Sequence, residues 1–447
     1  MPAFRNKVWD GKIRLFNSQN RQIYYGLIPY LEKFAKEREY TIEFDESVET
    51  YDEFSVAEAK DFIDTLGIPF EVRDYQIDAF IHAVRSRRNL LVSPTASGKS
   101  LMIYSLVRYY YASEYKKTGK KTLIIVPTTS LVEQMYKDFE DYGWDVEENC
   151  HKIYGGKDKN VEKAVVISTW QSIYKFPKRW FDDFSCVIGD EAHLFKSKSL
   201  VGIMTKLHEA KYRFGFTGTL DGSATHKWVL EGLFGECKHV IKTDKLIKDG
   251  HLSDFRIKVL LLKHEREEFF DYQSEIDAIV DCEKRNRLIR NLVRDLEGNT
   301  LVLFNYVERH GVPLHESINN VVKEGRKVFL VYGGVDTEER EEIRRLTEIE
   351  NDAVIIASYG TFSTGINIRN LHNVVFASPS KSRVRNLQSI GRVLRKGQNK
   401  TYATLYDIAD EFCRTPQKNY TLKHLDERLK IYEEEKFNVE IIKIDLR

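Results

Sequence analysis

Residues 89–100 read Asn89-Leu90-Leu91-Val92-Ser93-Pro94-Thr95-Ala96-Ser97-Gly98-Lys99-Ser100, and residues 101–111, LMIYSLVRYYY, continue with apolar residues at helical spacing. An apolar strand-like run, a loop of small residues, a lysine followed by a hydroxyl, and a helix come in that order, which is the phosphate-loop arrangement. Phosphate needs several backbone N–H donors converging on one point, and a tight loop at a helix N-terminus supplies them. The sequence predicts that Thr95, Ala96, Ser97, Gly98 and Lys99 cradle a nucleoside triphosphate, with Lys99 on the β and γ phosphates and the Ser100 hydroxyl a ligand of Mg²⁺. Ser93 stands where the motif has its first glycine.

Outward from this loop, short apolar runs alternate with helix-period segments. The runs are NLLVS (89–93), TLIIVP (122–127), AVVIST (164–169), CVIGD (186–190) and RFGFTG (213–218). Each ends in small or polar residues, as buried parallel strands do when they deliver loops to one edge of a sheet. A second series follows: TLVLFN (300–305), KVFLVYG (327–333), AVIIAS (353–358), NVVFAS (373–378) and TYATLYDI (401–408). Two such series predict an α/β chain with two tandem doubly wound parallel-sheet lobes, preceded by a small α+β module. The expected division is 1–64 for the N-terminal module and linker, 65–245 for lobe 1, and 246–447 for lobe 2 with a terminal helix. The stretch 244–264 reads as the connection between lobes, and LKHLDERLKIYEEEKF as a packing or capping helix.

A second constellation lies at the end of CVIGD, where an apolar run passes directly into Asp190-Glu191-Ala192-His193. Nucleotide hydrolysis asks for this pair: Asp190 can hold a hydrated metal and Glu191 can orient and deprotonate the attacking water. His193 can link the nucleotide site to another element.

At this point the chain resembles a superfamily-two DEAH-box helicase. Arg73-Asp74-Tyr75-Gln76 looks like the adenine-reading segment ahead of the phosphate loop, which implies that Arg73 and Gln76 touch the base. The run from Pro127 to Gln134 looks like motif Ia, and Ser168-Thr169-Trp170-Gln171-Ser172 like motif Ib. Thr217-Gly218-Thr219 stands where motif III couples hydrolysis to lobe movement. Ser358–Asn367 looks like motif V, and Gln388-Ser389-Ile390-Gly391-Arg392-Val393-Leu394-Arg395 like the QxxGRxxR of motif VI. The resemblance covers about 70–400 and implies RecA-like lobes. It is closest to the UvsW-type DNA helicases of tailed phages, in the N-terminal FRNKVWDGKIRLF and in IIVPTTSL, ASYGTFSTGINIRNLHNVV and QSIGRVLRK.

That resemblance implies an ATP-dependent DNA helicase or translocase that remodels branched DNA, by junction migration, fork regression and R-loop unwinding. Its expected partners are branched or forked DNA and RNA–DNA hybrids, with the protein a monomer in the host cytoplasm. Gln388, Arg392 and Arg395 join Asp190 and Glu191 as catalytic residues, because an arginine brought across an interface stabilises transition-state charge by ~10³–10⁵ in rate. Gly365 joins the nucleotide contacts. His193, Thr217 and Thr219 are the coupling residues. The hydroxyl-rich turns at Thr128, Thr129, Ser168, Thr169, Ser358 and Thr364, with Gln171, suit sequence-blind phosphate contacts. Asn367 replaces the Asp of many superfamily members.

Trp9 to Phe16 reads as a turn and then a strand with Lys12 and Arg14 on one face, suited to the phosphate backbone of DNA. A helix, YLEKFAKERE, and an acidic stretch over 41–64 follow. From 381 to 400 bases stand without an acid, so a net charge of +1 hides segregated basic stretches.

Composition excludes other classes. Gly and Pro number only 25 and 9 in 447 residues, which rules out collagen-like and low-complexity chains. Five scattered cysteines without paired spacing fit reduced thiols rather than a zinc site. No apolar run is long enough for a membrane helix and no secretory leader is visible, so a soluble intracellular protein is expected. Three rivals remain at this level: a DEAH-type RNA helicase, a restriction-type duplex translocase that does not separate strands, and a nucleic-acid-binding protein with a dead ATPase.

Overall fold

The computed structural model describes residues 10, 12–45, 48, 51–155, 161–365, 368, 370–396, 400, 402–412 and 418–447. Of residues 337 and 363–365 only the backbone is described. By its internal contacts the chain divides into two compact units, Met1–Ser93 with Gly98–Ile241, and Pro94–Ser97 with Lys242–Arg447.

The first unit is built on seven parallel strands: β3 (Arg88–Val92), β4 (Lys121–Val126), β5 (Cys150–Ile153), β6 (Val165–Thr169), β7 (Phe184–Asp190), β8 (Tyr212–Thr217) and β9 (Cys237–His239). Their order is β5-β6-β4-β7-β8-β3-β9. Successive side chains of a strand point to opposite faces. Accordingly Leu91 packs with Phe80, Leu101 and Phe139 on one face, while Leu90 packs with Phe195, Leu230 and Phe234 on the other. Strands covered on both sides must be apolar throughout, which is why these runs were readable.

Gly189 of β7 and Gly215 of β8 are paired in register. A Cβ on Gly189 would stand 2.8 Å from Phe234 Cζ, and one on Gly215 2.9 Å from Phe234 Cδ2. The two glycines make a slot for that ring, so the strand end bearing Asp190 is held from below by close packing.

The N-terminal segment departs from expectation. Trp9 and Gly11 lie outside the described residues, and Lys12–Arg14 are not in a strand. Asp10 is the physical reason: its carboxylate accepts from the Lys12 backbone N–H at 3.0 Å and from Arg14 Nη2 at 2.5 Å, drawing the chain into a local turn. A short hairpin, β1 (Phe16–Asn17) with β2 (Gln22–Ile23), follows. The helix Ile28–Lys36 then begins with Pro29 in its first turn, where a missing N–H costs nothing. Tyr30 anchors it, its hydroxyl donating to Glu231 Oε2 at 2.6 Å on the helix Ala224–Phe234.

The second unit holds β10 (Asp254–Lys263), β11 (Thr300–Phe304), β12 (Val328–Val331), β13 (Val354–Ser358), β14 (Asn373–Phe376), β15 (Tyr402–Glu411) and β16 (Asn438–Asp445). All run parallel, in the order β12-β13-β11-β14-β15-β10-β16. The stretch 244–264 is therefore more than a connection: Asp254–Lys263 is a full strand between β15 and β16. The terminal helix spans Tyr420–Glu434 and leads into β16, an edge strand with alternating exposure. Among the described residues no helix is long and apolar enough to cross a membrane.

Candidate functional site

Because the strands of the first unit are parallel, the segments after β3, β4, β6, β7 and β8 leave from one edge of its sheet, where doubly wound folds bind ligands. These are the phosphate loop, Pro127–Thr129, Trp170–Ser172, Glu191–His193 and Gly218–Thr219.

The phosphate loop turns on two left-handed residues, Ala96 at φ +66° and Gly98 at φ +80°. Gly98 opens the helix Lys99–Tyr110; its positive φ favours glycine, and the Gln76 side-chain amide packs where a Cβ would stand, 2.2 Å from Nε2. Ser97 Oγ donates to the Pro94 carbonyl at 2.6 Å, tightening the turn. Lys99 Nζ donates to the Ser93 carbonyl at 3.3 Å. Ser93 is not left-handed. It is fully buried, with its N–H on the Thr217 carbonyl at 2.9 Å, so glycine is not required at that position.

Ser100 Oγ lies 2.8 Å from the Tyr142 hydroxyl, a partner that no sequence signal marked. Burial pushes that phenol up to about 12. Gln76 is buried and caps its own helix, Asp74–Ser86, its Oε1 accepting from the Arg73 N–H at 3.0 Å. Arg73 Nη1 donates to the Tyr75 hydroxyl at 2.8 Å. A cavity of about 300 Å³ opens along the same helix, lined by Tyr75, Asp78, His82, Arg85 and Lys238 among others.

The acidic pair sits at the tip of β7. Asp190 is buried, and the loss of solvent around its charge, with Glu191 beside it, pushes the carboxyl up to about 6, against the opposing pull of Lys99. Its Oδ1 accepts from the Glu191 N–H at 2.9 Å. Glu191 is left-handed at φ +51°, a conformation that costs a non-glycine residue on the order of 1 kcal/mol. His193 Nδ1 stands 3.3 Å from Glu191 Oε2 and 3.0 Å from Thr217 Oγ1. Thr217 is buried, donates to the Thr219 carbonyl at 3.1 Å and accepts from the Thr219 N–H at 3.4 Å. The acidic pair and the coupling residues thus form one contiguous group.

Among the hydroxyls expected to meet phosphate, Thr128 caps the helix Thr129–Asp141, accepting from the Leu131 N–H at 3.4 Å, and Thr129 is exposed beside it. Gln171 is exposed and donates to the Pro127 carbonyl at 3.2 Å, tying the two turns together. Ser168 is fully buried, and its hydroxyl donates to the Ile153 and Thr169 carbonyls, both at 3.0 Å. Thr169 is also buried, 2.8 Å from Ser172 Oγ. Lys12 and Arg14 are exposed, Arg14 in its ion pair with Asp10.

In the second unit, Ser358 ends β13 and donates to Thr361 Oγ1 at 2.8 Å. Thr364 and Gly365 close the helix Tyr359–Gly365, their side-chain positions outside the described residues, as is Asn367 altogether. Gln388 and Arg392 lie on the helix Arg383–Val393, and Arg395 follows it. Arg392 donates to the Phe362 carbonyl and its guanidinium lies 5.0 Å from the centre of the Phe362 ring. Lys400, pushed down to about 7 by burial, caps that helix by donating to the Val393 and Arg395 carbonyls.

Comparison with known proteins gives matches along the chain. Residues 1–45 match the family described as DNA helicase UvsW, N-terminal; residues 69–222 match Type III restriction enzyme, res subunit; and residues 283–397 match the helicase conserved C-terminal domain. The ATP-dependent DNA helicase uvsW of Enterobacteria phage T4 is 37% identical over 98% of this chain and 91% of its own length. The crystal structure of T4 UvsW is 34% identical, covering 100% of this chain and 92% of that one, with a TM-score of 0.48. The Type ISP restriction-modification enzyme LlaBIII, solved bound to DNA, shares the fold at 16% identity and a TM-score of 0.61, over 84% of this chain and 32% of that one.

Proposed function

The chain belongs to the UvsW family of ATP-dependent DNA helicases, and from that premise we propose that it remodels branched DNA, using Mg²⁺·ATP, at the edge of the first sheet. It is an ATP-hydrolysing DNA helicase; the junction substrate, the metal and the residue roles are the proposal. The observation that carries it is the Asp190–Glu191–His193–Thr217 group, in which a water-activating carboxylate is joined through one imidazole to the end of the neighbouring strand.

In this reading Lys99 and the loop N–H groups hold the ATP phosphates, and Arg73 and Gln76 frame the base. Asp190 and the Ser100 hydroxyl are hard oxygen donors of the kind Mg²⁺ takes alongside phosphate oxygens, so the residues present fit it. Bound there, the ion would neutralise charge on the β and γ phosphates. Glu191 takes the proton of the attacking water. Gln388, Arg392 and Arg395 stabilise the charge that develops as the bond breaks. Thr128, Thr129, Gln171 and Ser358, with Thr364, Lys12 and Arg14, contact phosphates. Domains 1–64, 65–245 and 246–447 are the division that goes with these roles.

The experiment is an ATP-dependent assay on a mobile four-way junction, a fork, an R-loop and a plain overhang duplex. The proposal expects junction, fork and R-loop to be processed at least about tenfold faster than the overhang. Equal rates on all four would leave a general DNA helicase and overturn the branched-DNA specificity.

A further inference from the structure

The C-terminal helix Tyr420–Glu434 has no part in the chemistry described so far, yet it reaches the segment bearing Gln388, Arg392 and Arg395 at two points. Arg428 is buried, and its planar fork spans two partners: Nε holds Asp407 Oδ2 at 2.8 Å and Nη1 donates to the Ser380 carbonyl at 3.0 Å. Asp407 is fixed within β15, and the Tyr432 hydroxyl donates to the same oxygen at 2.8 Å. The Ser380 carbonyl also receives Asn386 Nδ2, from the helix Arg383–Val393, at 3.4 Å. At the second point Arg383, the first residue of that helix, pairs with Glu434 and lies 3.8 Å from Glu435.

We propose that Arg428 is a positioning residue for ATP hydrolysis: by bridging a carboxylate fixed in the sheet to the Ser380 carbonyl, it sets the angle at which the helix bearing Gln388 and Arg392 leaves the sheet. The inference rests on the reading that Arg392 serves hydrolysis. An arginine fork presents donors in a fixed plane, so one side chain can hold two partners at a set geometry, which a lysine point charge does not. From Arg383 to Arg392 the helix rises about 13 Å, so a tilt of about 5° at its start moves Arg392 by about 1 Å. A misplacement of that size costs up to about 10²-fold in rate. Stability alone does not call for the pair, since well-packed apolar residues in place of buried ions are often neutral or stabilising.

That last point supplies the test. In the full chain, Arg428→Met with Asp407→Leu and Tyr432→Phe replaces the ionic cluster by apolar volume, and Arg428→Lys keeps the charge but loses the fork. DNA-stimulated kcat is expected to fall about tenfold or more in both, while the Kd for a fluorescent ATP analogue and for forked DNA stays within about twofold and the triple variant melts no lower than wild type. Arg383→Ala, at a half-exposed site, is expected to fold and to lower kcat several-fold at the same ATP affinity. Wild-type kcat in the triple variant, or in Arg383→Ala should the triple variant not fold, overturns the proposal. So does a loss of ATP affinity that matches the loss of rate. Arg392→Ala is measured in parallel: wild-type turnover there sinks the reading of motif VI, whereas an inactive Arg392→Ala beside a fully active triple variant sinks the positioning role alone.

Discussion

His193 offers one ring nitrogen to two partners: Nδ1 is 3.0 Å from Thr217 Oγ1 and 3.3 Å from Glu191 Oε2. A single N–H serves one acceptor well at a time. If Glu191 serves as the proposed base, the proton it gains would weaken its hold on the imidazole and strengthen the bond to Thr217. The hydroxyl would then carry the change to the Thr219 backbone. Thr217→Val keeps the shape and removes the relay. It is expected to leave DNA-stimulated ATP turnover within about fivefold of wild type, while strands separated per phosphate released fall about tenfold. The two rates are measured side by side on a fork, and parallel losses in both would dismiss the relay.

Glu191 is the proposed base, and it follows directly on the end of β7 in a left-handed conformation. Glu191→Gln retains size and conformation but accepts no proton. It is expected to lower kcat by about 10²–10⁴ while ATP still binds with unchanged Kd. Glu191→Gly should be equally inactive and more stable by about 1 kcal/mol, because the residue no longer pays for a positive φ. Phosphate release and thermal melting of the two variants check both statements.

Much of this was legible from the chain because burial on both faces leaves a strand no choice but apolar residues. Val165–Thr169 and Phe184–Asp190 are buried from end to end, and the phosphate loop and acidic pair follow from where such runs stop. Asp254–Lys263 was harder, since its first half alternates charged with apolar residues and reads like a linker. Only the pairing with β15 on one side and β16 on the other makes it a strand. The Lys12–Arg14 strand failed to form because Asp10 satisfies the Lys12 N–H and the Arg14 guanidinium locally, a competition that alternation alone does not reveal. Ser168 shows a related ambiguity: a hydroxyl at a strand end reads the same in sequence whether it faces solvent or a core carbonyl. Tyr142 opposite Ser100 carried no signal, because no periodicity sets which of many tyrosines reaches the loop.

Asp190 gives the fold a measurable pH dependence. Burial and the neighbouring Glu191 disfavour its charge and push the carboxyl up to about 6 in the folded chain, against about 4 for an unfolded aspartate. The folded chain therefore binds the extra proton between pH 4 and pH 6, so this residue's contribution falls as pH rises through that window and stays lower above it. Asp190→Asn carries no charge in either state. Without nucleotide it is expected to be more stable than wild type at pH 7.5, by about 1–3 kcal/mol, with the difference vanishing near pH 3.5, while hydrolysis is lost at every pH. Denaturant unfolding at the two pH values measures this, and a variant less stable than wild type at pH 7.5 would contradict it.

The N-terminal cations are expected to show themselves through salt. Each Lys or Arg that neutralises a DNA phosphate adds about 0.9 to the slope of log affinity against log salt. Lys12→Ala with Arg14→Ala should therefore flatten that slope by about 2 if both touch the backbone. Asp10 competes with the phosphate for Arg14, holding it at 2.5 Å in an exposed pair that contributes little to stability. Asp10→Ala is thus expected to tighten binding to forked DNA several-fold at 50 mM salt without lowering the melting temperature, and to lose that advantage when Arg14→Ala is added. Fluorescence anisotropy across a salt series reads these proteins beside wild type and Arg14→Ala alone. If Asp10→Ala tightened binding equally with and without Arg14, release of that arginine would not be the cause, and the contact at the N-terminus would have to be sought elsewhere.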